Sequence, residues 1–138
     1  MGAMTAIAWV LVALGLLALV LTQVRLRRHR GQQGMTDIAP WIINLHSAAG
    51  ATGLGLVALR LLEVTSSGVA MWVAVVALAI TSLVGLSFLA RWRRASGRHV
   101  VVVTGDGWTS GPWLSRIAHY GMLLGSIFLT WTMISDRI

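Results

Sequence analysis

Cysteine is absent from the 138 residues, which excludes disulfides, thiolate metal ligands, iron–sulfur clusters and haem attached through thioethers. Acid is scarce as well: four Asp and Glu stand against eleven Lys and Arg, for a net charge of +7. Those four, Asp37, Glu63, Asp106 and Asp136, all lie outside the long apolar runs. An acid-lined path through a membrane therefore has no residues to build on. Proline occurs only at positions 40 and 112, each followed by tryptophan and an apolar stretch. Its fixed φ suits the first turn of a helix, so each Pro-Trp reads as a helix entry.

What fills the chain is apolar. Hydrophobic residues make up 57% and charged ones 11%, with mean hydropathy +0.79, well outside the range of ordinary soluble domains. Residues 1–24, 38–59, 64–90 and 117–135 carry no formal charge, and each is comparable with the ~20 residues needed to cross a hydrocarbon core. The pattern predicts an all-α integral membrane protein, a four-transmembrane-helix bundle in one domain over 1–138. Its helices are expected at about 4–24, 41–62, 69–90 and 113–134.

The basic residues are not spread in the manner of a nucleic-acid surface. Arg25, Arg27, Arg28, Arg30, Arg91, Arg93, Arg94 and Arg98 fall in two short segments between helices. Flanking basic segments stay cytoplasmic, which predicts a multi-pass protein of the cell (inner or plasma) membrane with both termini outside. The expected partner of these arginines is the anionic surface of the lipid bilayer, and no nucleic acid is implied. The first apolar run has no basic stretch before it and four arginines after it, the arrangement of an uncleaved, reverse-oriented anchor. The seven tryptophans fit interfacial belts for the most part. Arg60 and Glu63 are spaced as a local, solvated pair at the outer end of the second helix. In the second basic segment, Val100 to Val103 and a Gly-Asp-Gly turn over 105–107 read as a short strand or a surface-lying stretch.

The two halves resemble one another. Arg25-Leu26-Arg27-Arg28 precedes Pro40-Trp41, His46, Gly50 and Gly53; Arg91-Trp92-Arg93-Arg94 precedes Pro112-Trp113, His119, Gly121 and Gly125. The offsets drift between halves, so the likeness is either a parallel duplication or a convergence on membrane-boundary features. At ~1.5 Å per helical residue, His46 lies roughly 9 Å past Pro40 and His119 roughly 10 Å past Pro112. Both imidazoles thus sit at matching depth, and ionisable side chains at such depth are functional candidates.

Small residues continue the face of each histidine, Gly50 and Gly53 after His46 and Ser126 after His119, and Arg116 precedes His119 on nearly the same face. Zinc would usually take further ligands, and none is evident at this level. A haem iron needs only two axial ligands, and its flat macrocycle needs small neighbours. The constellation therefore favours one haem b with His46 and His119 on the iron. Arg116, with Arg27, Arg28, Arg93 or Arg94, would pair with its propionates.

In the Leu45-His46-x3-Gly50 and Ala118-His119-x-Gly121 contexts, and in its four-span outline, the chain resembles the four-helix, bis-histidine transmembrane cytochromes b, which include quinone-linked anchor subunits. The resemblance implies an electron-transfer subunit that exchanges electrons with a quinone or a larger membrane-protein partner. Members with two haems carry four ligand histidines, whereas His29 and His99 here lie in the basic segments. Two other readings stay open. The histidines can simply hydrogen-bond between helices in a non-catalytic accessory or scaffold subunit of a larger membrane complex. A small transporter component would have to rely on Asn44, Ser47, Thr52 and the histidines for its polar path.

Overall fold

A computed structural model describes residues 2–28, 39–94 and 112–138, with side chains described over 2–24, 41–88 and 116–138. Four helices account for most of it: α1 (Ala3–Arg28), α2 (Pro40–Leu61), α3 (Gly68–Arg94) and α4 (Pro112–Ile134). Each is long and apolar enough to cross a membrane. The stretch 100–111, His29, His99 and the side chains of the arginine-rich segments lie outside the described residues. Among those described, all regular structure is helical, as the charge-free runs predict. Both helices that carry a histidine begin on a proline, whose missing N–H is one that a first turn leaves unbonded anyway.

Each helix packs against the next along the chain, and α1 closes the ring against α4. The bundle is therefore up-down-up-down, with α1/α3 and α2/α4 as its diagonals. Packing is closest between α2 and α3, and small residues explain why. A Cβ placed on Gly53 would stand 2.9 Å from Leu78 Cγ and 3.2 Å from the Leu78 backbone nitrogen. Leu78 thus fills the space a side chain would take, and it is buried to 1% exposure. On the other flank of α2, a Cβ on Gly15 would meet Leu54 Cδ1 at 2.7 Å. Leu54 and Leu78 join Ala8, Val12, Val57, Ala74, Leu129 and Met133 in the buried core. In lipid, where burial of apolar surface no longer drives association, close fit of this kind holds helices together.

The ends of α2 and α4 away from the histidines are built alike. Glu63 and Asp136 take positive φ, 59° and 50°. The N–H groups of Val64 and Arg137 donate to the Leu59 and Thr132 carbonyls, and those of Glu63 and Asp136 to the Arg60 and Met133 carbonyls. Both helices therefore end in the two-bond Schellman arrangement. Glu63 follows His46, and Asp136 follows His119, by the same number of positions.

Here the structure departs from the expected Arg60–Glu63 pair. With Glu63 turned into the left-handed position that ends α2, Arg60 reaches across the diagonal instead. Its Nη2 lies 2.7 Å from an Asp136 carboxylate oxygen, and its Nε donates to the Ile138 carbonyl at 2.9 Å. Asp136 is largely exposed, so the ion pair contributes about 1 kcal/mol or less. Its role is to tie the α4 tail to α2.

The glycine contacts generate a paired test. Gly53→Ala is expected to lower unfolding stability by about 1–3 kcal/mol through overpacking against Leu78. Gly55→Ala, whose added Cβ meets nothing within 4 Å, is expected to stay within about 0.5 kcal/mol of the parent or to gain slightly from helix propensity. Denaturant unfolding of the detergent-solubilised protein, followed by tryptophan fluorescence, checks both.

Candidate functional site

His46 projects from α2 one and a half turns below its proline start, and His119 projects from the matching place on α4. Although these helices are diagonal, the two imidazoles meet in the middle of the bundle. Their ring centroids are 6.2 Å apart and their planes differ by 24°. Phe88 of α3 stands edge-on to both, with centroids 5.4 Å from His46 and 6.5 Å from His119.

α3 supplies what lies between them. Its inward stripe runs Ala74, Leu78, Thr81, Gly85 and Phe88, alternating steps of four and three that keep one helical face inward. A Cβ on Gly85 would stand 2.8 Å from His119 Cδ2 and 3.3 Å from His46 Cε1. Only a glycine lets α3 pass so close to both rings at once. Thr81, one turn away, places its hydroxyl 3.5 Å from the His46 carbonyl, at the long limit of a hydrogen bond. Among the described residues, His46 Nδ1 is buried with no hydrogen-bond partner, and so is Ser82 Oγ. A buried polar atom left unbonded costs about 1–3 kcal/mol; these two lie beside one cavity, and a third such atom, Ser126 Oγ, lies away from it.

The rings face a cavity of about 100 Å³ to which all four helices contribute: Gly15 and Ala18 from α1, Gly50 from α2, Thr81 and Gly85 from α3, and Met122 from α4, beside the histidines. Ser47 lines it too and accepts a 2.7 Å hydrogen bond from Gln23 Nε2, which joins α1 to α2 at the edge of the cavity.

Of the site residues expected from sequence, His46, His119 and Gly50 lie on this cavity. Gly53 does not; it is spent on the α2/α3 contact with Leu78. Arg116 is exposed, a turn from His119, and is not part of the lining. Gly85, Thr81 and Phe88 were not anticipated. Helix 3 bears no histidine to draw attention, yet its Thr81-x3-Gly85-x2-Phe88 spacing is a usable signal once two facing histidines have been found on its neighbours.

The close approach of α3 makes a specific demand. Gly85→Ala is expected to displace the His119 ring and shift its imidazole resonances in spectra of histidine-labelled protein. Gly121→Ala, where nothing lies within 4 Å of the added carbon, is expected to leave them in place. Compared with protein-family models, with curated proteins and with solved structures, the chain finds no match.

Proposed function

We propose that the chain is an electron-transfer subunit of the cell membrane that holds one haem b between α2 and α4, with His46 and His119 as its axial ligands. The observation that carries this reading is the meeting of two imidazoles from diagonal helices, near-parallel and 6.2 Å apart, beside a glycine that leaves no side chain between them.

The donor set suits the group. Two imidazole nitrogens opposed across one metal at about 2.0–2.1 Å would bring their ring centroids to about 6 Å, close to the 6.2 Å between these rings. A bare metal ion is less well served, because no cluster of three or more His, Cys, Asp or Glu occurs among the described residues. The unbonded His46 Nδ1 points the same way. The 100 Å³ cavity is smaller than the ~300–1,000 Å³ usual for cofactor sites, so room for a macrocycle has to come from movement of a helix.

His46 and His119 would hold an iron porphyrin, which would supply one-electron transfer. The protein's own residues orient and enclose it. Thr81 approaches the α2 backbone at His46, Gly85 lets α3 close against the edges of both rings, and Phe88 stands edge-on over both imidazoles. Arg116 and the arginines near the chain's basic segments, Arg27, Arg28, Arg93 and Arg94, offer charge for the propionates. By the positive-inside rule, those segments and the histidine end of the bundle face the cytoplasm, with both termini outside. The partner in that transfer would be a quinone or a larger membrane protein.

Protein expressed with ample haem and purified in mild detergent is expected to show a Soret band and a sharp α band on reduction. His46→Ala and His119→Ala are each expected to abolish the bis-imidazole spectrum while keeping the parent helical circular dichroism. Absence of pigment in the folded parent, or a spectrum indifferent to both substitutions, would refute the assignment.

A further inference from the structure

Polar groups from every helix reach the cavity beside the histidines. Thr22 of α1, Ser47 of α2, and Thr81 and Ser82 of α3 line it with His46 and His119. Three of the four hydroxyls have a partner at hand. Thr22 donates to the Ala18 carbonyl at 2.8 Å, Ser47 accepts from Gln23 at 2.7 Å, and Thr81 stands 3.5 Å from the His46 carbonyl. Ser82 Oγ has none among the described residues, and neither has His46 Nδ1; both atoms are buried.

A hydroxyl in a helix can bond a carbonyl of the preceding turn, and Thr22, Ser87, Thr132 and Ser135 all do so. Ser82 does not, so its proton is left to the cavity. Ser47, having accepted from Gln23, also has a proton to give. Donors therefore gather on this space, and the lone pair of an unprotonated Nδ1 is an acceptor for them.

Water fits the space. The cavity measures about 100 Å³, well above the roughly 10–15 Å³ in which one water can be held. A void of this size lined by aliphatic groups alone stays dry, whereas a water with about two to four polar partners is retained as part of the fold.

We propose that ordered water occupies this cavity and joins Ser82 Oγ to His46 Nδ1. Ser82 donates to the water, the water donates to Nδ1, and the ring proton is thereby held on Nε2. Ser82 is a positioning residue, which fixes the tautomer of His46 through water. The site stands on the cavity and its unbonded atoms, and haem has no part in it.

Nitrogen-15 histidine spectra of the full-length, haem-free protein in lipid nanodiscs test this, the His46 signals being those lost in His46→Ala. Nε2 is expected to be the protonated nitrogen, and the His46 ring protons are expected to show cross-relaxation to water. Ser82→Ala is expected to lower the ratio of Nε2–H to Nδ1–H forms about fivefold, which is what one net hydrogen bond contributes. Ser126→Ala removes a buried, unbonded hydroxyl away from the cavity and is expected to leave that ratio unchanged. A ratio indifferent to Ser82→Ala, equal effects of the two substitutions, a protonated Nδ1 in the parent, or no water contact at His46 would each overturn the proposal. A parent that takes up no haem yet gives the expected spectra loses the haem assignment and keeps the water site.

Discussion

The interlock of Leu78 with Gly53 is the contact on which the site depends. It leaves α3 no freedom to slide along α2, because the leucine branch lies where a glycine Cβ would be and the Leu78 backbone lies just behind it. Two helical turns from Leu78 the same inward face presents Gly85, and so the register set at one contact brings a glycine against both imidazoles at the other. Had α3 stood an ångström further out, Phe88 would no longer cover the imidazoles. Had Gly85 carried a side chain, His119 could not sit where it does.

A bundle of nearly uniform aliphatic helices has few ways of specifying which faces turn inward, and here the scarce polar groups share that work with glycine. Thr132 satisfies its hydroxyl within its own helix, on the Leu129 and Phe128 carbonyls. Gln23 and Ser47 satisfy one another between helices. At one end Arg60 ties α2 to the tail of α4; at the other, His46 and His119 bring the same two helices together. The diagonal pair is thus related at both ends, while α1 is held chiefly on one side.

Much of this was legible in the residue order. Charge-free runs of sufficient length announced four helices, Pro40 and Pro112 marked two of the starts, and nearly equal distances from those prolines, six and seven residues, placed the histidines at close to one level. Depth along a helix is readable because rise per residue is constant. Direction around the bundle is not, since it depends on which helices become neighbours. Gly53 lies on nearly the same face as His46, yet that face is wide enough to meet both the cavity and α3, and Gly53 fell on the α3 side. Gly85 was invisible for the converse reason: a glycine among aliphatic residues acquires meaning only from what crosses it. Arg60 was paired with its sequence neighbour because the left-handed turn at Glu63, which removes that partner, is set by the hydrogen bonding of the helix end rather than by residue type.

The central claim is that these two imidazoles share one iron. Low-temperature electron paramagnetic resonance of the oxidised, haem-loaded protein tests it most directly, since two strong nitrogen ligands hold ferric iron low-spin. Bis-histidine ligation predicts a single low-spin signal that is lost when either His46 or His119 is replaced. A high-spin signal in the parent protein, or a low-spin signal that survives both replacements, would contradict it.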